Sequence, residues 1–503
     1  MGGCDGMMGV QQTPQGNLFY YGINIDNRIR VNHPLRRIKQ LIDFDFAYQE
    51  VKDLYGVNGN VSVPPAVILK LILLLILYNV RSERELMATV PERLDWLWFL
   101  DYDLDTDIPD HSVLSKARKK WGVEIFRSFF ERIVLQCVEA GLVDGSKIFV
   151  DSSLVDADAS NASVIDTRNL RHQLHKNYKQ LEDRLEAKDE SIDASRAYVK
   201  QNKRYISSTD PDAAIVNRGK PKLSYQVHRA VDGKHEIITA TEATAGDINE
   251  AHLMIPLIEQ HKVTSGLTAD TVVADSKYGT IDNFLACMDR GLQAHMPDLR
   301  EVAAKRADRQ DIFTEERFRY SSDEDVYYCP AGQKLTPRSL HMSRQSKDYG
   351  APKRTCAACN LQEQCTKNKA GRTIKRHLRQ DDLDNMRDAS RSAKAKRDRK
   401  TRQHLMERSF ARSTQYDFDR ARWRGLWRMR IQEYLICAIQ NIQALISHVY
   451  RSNRKVGVMA TKGGNALINL SSHLSELFMS VALMIATSEV RHQGTLCTAA
   501  QER

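Results

Sequence analysis

The sequence predicts an α/β protein with an all-helical amino-terminal domain, a mixed-sheet core and a polar, cysteine-bearing insertion. Three patterns carry this reading. Residues 34–140 keep helical spacing between apolar side chains, with Pro64-Pro65 standing where the apolar helix begins. After Gly145 the period changes, and short apolar runs ending in Asp alternate with helical stretches. Cys329, Cys356, Cys359 and Cys365 then fall together within residues 298–380, a segment short of apolar residues.

Composition narrows the class. At 503 residues, 42% hydrophobic and 27% charged, the chain matches neither a disordered polymer nor a membrane protein. Domains of about 100–200 residues would give two to four units. The longest apolar stretch, Ala66 to Val80, is broken by Lys70 and Asn79 and falls short of the roughly 20 residues that span a bilayer. Met1 to Leu18 is rich in Gly, Met and Gln and lacks the apolar centre of a signal peptide, so a cytoplasmic protein with no membrane partner is expected. Lys and Arg number 74 against 64 Asp and Glu, a net +10. Residues 367–430 hold 21 Lys and Arg against 8 Asp and Glu, a local +13 that leaves −3 for the remainder. One basic segment of this size favours a polyanionic partner.

The elements follow in order. Residues 1–30 are expected to be a flexible segment and 31–140 a helical domain. In the latter, Pro64-Pro65 opens the apolar helix, Arg81 to Leu86 continues it, and Pro109-Asp110-His111 punctuates the chain. Asp110 or Ser112 can cap Val113 to Gly122, whose Lys116, Arg118, Lys119 and Lys120 suit either phosphates or plain water. The first part of the core spans 141–297. Lys147 to Val150 is a strand ending in Asp151, and a charged helical insertion lies within 160–215. Lys222 to Ala230 and His235 to Ala243 form a hairpin about Asp232-Gly233. A helix over Asn249 to His261, a strand over Thr271 to Ala274 ending in Asp275, a helix over Ile281 to Gly291 and a strand over Leu292 to Met296 complete this part. After the insertion at 298–380, helices over Asp381 to Arg412 and Arg424 to Tyr450 form the rest of the core, 381–450, and 451–503 is a tail.

Two strands share a design, Ile148-Phe149-Val150-Asp151 and Val272-Val273-Ala274-Asp275. Each delivers an Asp at its carboxyl end, where open α/β sheets place ligands. If the strands are neighbours, the carboxylates repel unless a cation separates them, which makes oxygen-rich Mg²⁺ coordination a natural resolution. An Asp in that place also serves simply to cap the next loop. Glu407 borders the stripe of Leu405, Met406, Ser409 and Phe410, from which it could reach over the sheet edge or pair with Arg408 and Arg412. The Cys356-x-x-Cys359 pair with Cys329 and Cys365 has the composition of a tetrahedral Cys₄ zinc site, although its spacing is not that of a standard finger.

These segments, in this order, resemble the insertion-sequence DDE transposases that carry a helical amino-terminal domain and a cysteine-bearing insertion. The likeness spans roughly residues 30–450 and rests on His33-Pro34-Leu35-Arg36, Arg81-Ser82-Glu83-Arg84-Glu85-Leu86 and Ile108-Pro109-Asp110-His111-Ser112. It continues through Val150-Asp151-Ser152-Ser153-Leu154-Val155-Asp156-Ala157, Ser208-Thr209-Asp210-Pro211-Asp212-Ala213 and Ala274-Asp275-Ser276-Lys277-Tyr278-Gly279. Glu407-Arg408-Ser409-Phe410-Ala411, Arg424-Gly425-Leu426 and Gln440-Asn441 close the series.

The resemblance implies a ribonuclease H-like core and three metal-binding acids at Asp151, Asp275 and Glu407, 124 and 132 residues apart. It implies Mg²⁺ or Mn²⁺ as cofactor and double-stranded DNA as substrate, both the element's terminal inverted repeats and the target. A homodimer is expected on DNA. The expected DNA contacts are Arg36, Arg118, Lys119, Lys120, Lys277 and Arg412, the last standing in for a family Lys where this chain has Thr414. His228 and Lys277 are placed to face phosphates, and Asp156 and Asp158 to support the acids or sit in water. Two other readings stay open: an inactive, transposase-derived DNA-binding protein, and a phosphohydrolase with an aspartyl nucleophile. Ser153 stands where the latter needs a second Asp.

Overall fold

A computed structural model of the chain describes residues 24–56, 61–166, 205–299, 312–368 and 370–460. The chain divides into two compact units, 1–445 and 446–503. Of the second, the described part is the end of one long helix.

Eight helices open the first unit: α1 (Ile25–Arg28), α2 (Pro34–Leu41), α3 (Phe46–Val51), α4 (Pro65–Leu77), α5 (Glu83–Thr89), α6 (Leu94–Leu100), α7 (Ser112–Trp121) and α8 (Glu124–Glu139). Their starts are chemically marked. His33 Nδ1 accepts the Leu35 N–H ahead of α2 at 3.3 Å, Ser82 Oγ accepts Glu85 N–H ahead of α5 at 3.1 Å, and Asp110 accepts Ser112 N–H ahead of α7 at 2.8 Å. Helix α4 is the apolar stretch of the sequence and is buried along residues 65–76. Its Lys70 avoids an unpaired burial by reaching Asp101 at 2.7 Å. Residues 24–30, expected within the flexible segment, form α1 and a turn. Asp26 there accepts from Arg36 at 2.6 Å and from Trp98 Nε1 at 2.8 Å, which ties them down. The remainder of 1–30 lies outside the described residues.

The core sheet contains β1 (Lys147–Asp156), β4 (Ala214–Arg218), β5 (Lys220–Asp232), β6 (Ile238–Ala245), β7 (Thr271–Val273) and β8 (Gln293–His295); β2 (Val164–Asp166) and β3 (Tyr205–Ser207) pair separately. β6, β5 and β1 run antiparallel in turn, while β7 and β8 lie parallel to β1 on its other side. Between them stand α9 (Met254–Ser265), which packs on β6, and α10 (Ile281–Asp289). Ile148, Val150, Val272 and Ala294 meet Leu257, Phe284 and Leu383 in one buried cluster. The expected 160–215 insertion has strands at both described ends. Its helical stretch, 166–204, lies outside the described residues apart from Asp166.

The cysteine-bearing segment builds more than was expected of it. Five antiparallel strands, β9 (Arg319–Ser321), β10 (Val326–Tyr328), β11 (Lys334–His341), β12 (Ser346–Gly350) and β13 (Thr373–His377), form a sheet in the order 13-12-11-10-9, with the short helices α11 (Lys353–Ala357) and α12 (Gln362–Cys365) between the last two strands. Phe318, Tyr327, Leu335, Tyr349, Ala351 and Ile374 give it a small core of its own.

The single helix expected over 381–412 is two, α13 (Gln380–Arg391) and α14 (Ala393–Ser413). Ser392 breaks them and caps the second by accepting Ala395 N–H at 3.1 Å. Helix α13 packs on β8, α14 crosses β1, β7 and β8, and α15 (Leu426–Ala460) follows. Arg229 of β5, fully buried, anchors both last helices. It bonds Glu433 of α15 at 2.6 and 2.9 Å and Ser413 of α14 at 2.9 Å, and it lies between the rings of Phe410 and Phe418.

Candidate active site

Register decides how the two aspartates meet. Phe149 pairs with Val273 across the parallel strands β1 and β7, so Asp151 and Asp275, each two residues further on, project from matching positions. The expectation of Asp151 as a strand terminus needs correcting, because β1 runs on to Asp156, held by antiparallel pairing with β5 as far as Ser224. Only its pairing with β7 stops before Asp151. Asp275 does leave its strand, and its Oδ1 accepts the Lys277 N–H at 2.9 Å.

Burial raises the pKa of Asp151; Arg402 opposes the rise, and nearby Asp275 adds to it. Burial likewise raises Asp275, and the charge of Glu250 adds to that. Two half-buried acids that raise their proton affinity together are poised for a cation. At Asp151 that role falls to Arg402 of α14, whose Nη1 stands 2.5 Å from Oδ2.

Glu250, which the sequence reading passed over, belongs to this site. It is buried, accepts from Ser152 Oγ and pairs with the Lys277 ammonium. Gln226 Nε2 donates to Ser152 Oγ at 2.7 Å. Glu250 therefore links the residue after Asp151 to the residue two after Asp275. The buried Tyr278 phenol lies against the group, and burial, then Glu250, Asp151 and Asp275, raise its pKa well above the ordinary value. In the sequence Glu250 is only the second residue of the helix expected over Asn249 to His261, which reads as an ordinary helix start.

Glu407 is not brought to the pair. Leu405, Met406 and Ser409 bury their face of α14, and Arg402 points from it to Asp151, but Glu407 is exposed and accepts from Gln403 at 3.1 Å. At 100° per residue, five positions turn it about 140° away from Arg402. Glu433 does not take its place, being sealed against Arg229.

The expected DNA contacts divide. Lys119 and Lys120 are exposed on α7. Arg118 is buried at 3% exposure, paired with Glu83 and stacked 4.2 Å over Trp423, so it is not part of that open face. Arg36 is engaged by Asp26, by the carbonyl of Ile29 and by the ring of Trp98. Lys277 and Arg412 are half-exposed and paired, with Glu250 and Glu236. His228 faces no phosphate. It is fully buried, its Nε2 lies 2.9 Å from Thr244 Oγ1, and burial lowers its pKa to about 3. Asp156 and Asp158 pair with Lys222 and Arg420, both exposed, rather than with the acids.

Cys329, Cys356, Cys359 and Cys365 line one apolar cavity of about 30 Å³. All four are free thiols. Burial raises the pKa of Cys365, Arg372 opposes this, and the other three sulfurs add to it, so the four sense one another. Among the described residues no group of three or more His, Cys, Asp or Glu side chains is drawn closely enough together to hold a metal ion. Among them, too, no helix is long and apolar enough to cross a membrane.

Two family models match the chain: "Transposase domain (DUF772)" over residues 23–120 and "Transposase DDE domain" over 328–446. The chain carries two transposase domains. The first match covers the chain's amino-terminal helices into the last turn of α7, and the second runs from the cysteine-bearing sheet through α14 into α15. Asp151, Asp275 and Glu250 lie between the two spans, whereas Glu407 and Arg402 lie inside the second. No curated protein and no solved structure matches significantly.

Proposed function

We propose that this transposase binds the ends of its insertion element as double-stranded DNA, cleaves a phosphodiester there with a divalent metal, and joins the freed 3′ end to target DNA. The observation that carries the proposal is the matched placement of Asp151 and Asp275 on adjacent parallel strands, inside a chain with transposase domains on both sides. The sheet, three antiparallel strands followed by two parallel to the first, supports a ribonuclease H-like core.

Asp151 and Asp275 would hold Mg²⁺ or Mn²⁺, and their donor chemistry suits it: two partly buried carboxylate groups, Asp151 raised in proton affinity by the charge of Asp275 and Asp275 by that of Glu250. When bound, such an ion would supply Lewis acidity, lowering the pKa of a water or 3′-hydroxyl and offsetting charge on the leaving oxygen. The chain's own task is alignment. Ser152 N–H and Lys277 N–H each fix one carboxylate oxygen, and Glu250 joins Ser152 to Lys277. Arg402 neutralises Asp151 and would hand it over as the site fills.

For the third acid, the resemblance assigns Glu407, which would require α14 to turn or shift. A second reading takes Glu250, on the specific observation that it already joins Ser152, next to Asp151 in β1, to Lys277, two residues after Asp275. Cleavage assays on Glu407→Gln and Glu250→Gln separate the two, since only the true ligand should be as damaging as Asp151→Asn.

The four cysteines would hold a structural Zn²⁺. Their cavity is apolar, has room for little beyond an ion and is lined by no carboxylate, and the four sulfurs would have to draw closer together than they stand to share one ion. The 31–140 helices would bind the element's ends, and the basic 367–430 segment the backbone, with a dimer formed on DNA. The test is incubation of the purified protein with supercoiled DNA carrying the element's ends: nicked and joined products are expected with Mg²⁺ and none with chelator. Binding without products under any metal would favour the inactive, DNA-binding alternative.

A further inference from the structure

A second cavity, of about 440 Å³, opens where α4, α5 and α7 meet the segment leading into α15. Its lining is chemically one-sided. Arg81, Arg84, Arg118, Arg422 and Arg428 face it, with Trp423, against a single acid, Glu83. Five guanidinium groups against one carboxylate leave +4 before His111, also in the wall, is counted.

The buried arginines are not fully used by the protein. Arg118, 3% exposed, spends one nitrogen on Glu83, while its Nε and Nη1 have no hydrogen-bond partner; Arg422 Nε has none either. Buried donors left open in this way cost free energy unless something accepts from them. Arg422 is otherwise held in place, its Nη2 donating to Asn79 at 2.7 Å and its Nη1 to the Val80 carbonyl. Arg118 is held by its stack on Trp423. Guanidinium groups fixed in the wall of a roomy, positive cavity are a means by which proteins bind phosphate bidentately.

We propose that this cavity is an anion site that takes a phosphate group of a DNA strand, separate from the carboxylate centre. The volume lies in the range of small-ligand pockets of about 300–1,000 Å³, enough for a phosphate with part of its nucleotide beside Trp423. The proposal rests on the reading of the chain as a protein that acts on DNA. It adds a defined point at which residues of both matched transposase domains, Arg81 to Arg118 on one side and Arg422 to Arg428 on the other, close on the same strand.

The test uses the full chain, titrated with a labelled oligonucleotide by anisotropy and with inorganic phosphate by calorimetry. Arg84→Gln combined with Arg428→Gln should weaken oligonucleotide binding at least tenfold, lower the log–log salt slope by about two, and abolish the phosphate heat. Unchanged binding of both probes overturns the site. Loss of the phosphate heat with oligonucleotide binding intact overturns the strand assignment and leaves a free-anion pocket. If the double variant does not fold, Arg81→Gln, on an exposed side chain, repeats the comparison with an expected slope change of about one. A wild type that never cleaves but binds through these arginines would sink the catalytic reading and keep this one.

Discussion

Replacing Glu433 by Gln should be among the most damaging conservative changes in the chain. The Arg229–Glu433 pair is at 0% and 1% side-chain exposure, and Glu433 also accepts from Thr241 Oγ1 at 2.8 Å and Cys437 Sγ at 3.0 Å. Gln keeps the shape but removes the charge, so Arg229 is left buried without a counter-ion. Breaking such a pair costs about 3–5 kcal/mol, a large share of the ~5–15 kcal/mol that holds an ordinary domain folded. Urea unfolding followed by tryptophan fluorescence should show a midpoint lower by about 1 M. Burial pushes the Glu433 carboxyl up, but Arg229 and the other donors more than offset this and hold it below the ordinary value. Its contribution is therefore present above the unfolded-state pKa and lost as the pH falls through the folded one, and the variant should lose less stability on acidification than the wild type. Arg229→Met with Glu433→Leu removes both charges and should recover most of the loss. A loss under about 1 kcal/mol for Glu433→Gln, or a double variant no better than either single one, would refute the argument.

Three further outcomes are expected. A Cβ on Gly279 would lie 1.9 Å from the Pro297 carbonyl oxygen, so Gly279→Ala should cost about 1–3 kcal/mol or more by urea unfolding and displace the Asp275 loop. Buried, neutral His228 has a folded pKa of about 3, below the unfolded value near ~6.5. Between those values the unfolded chain binds the extra proton, so stability should fall with the pH by up to about 1.4 kcal/mol per unit, and His228→Gln should flatten that window in acid titrations. Elemental analysis should find one zinc per chain and less in Cys356→Ser, while zinc far below one in the wild type would remove the cysteine site.

Much of the fold was legible because periodicity reports burial directly. The apolar helix at 65–77, the hairpin of β5 and β6 and the strands at 147 and 271 all announced themselves. Asp151 and Asp275 were legible as a pair because each follows a short apolar strand. Their register was not, since it depends on which strands are neighbours. The cysteine-bearing sheet was missed for a different reason: β11 buries little beyond Leu335 along its length, so it shows no alternation. Arg118 illustrates a limit of charge patterns. Its neighbours Lys119 and Lys120 are exposed, yet one step round α7 it meets Glu83 and Trp423 from distant segments. Glu250 and Arg402 became site residues only through tertiary contacts, which no local spacing encodes.

The most direct measurement is strand cleavage by Asp151→Asn and Asp275→Asn, each assayed on DNA carrying the element's ends in Mg²⁺, beside a binding titration of the same preparations. Asn keeps the shape and the N–H contacts at both positions but withdraws the charge that would hold the metal. Removing a ligand of the catalytic ion should lower the cleavage rate by about 10³-fold or more, several kcal/mol of transition-state stabilisation, with DNA affinity within a few-fold of the wild type. Cleavage that persists at the wild-type rate in either variant would contradict the account.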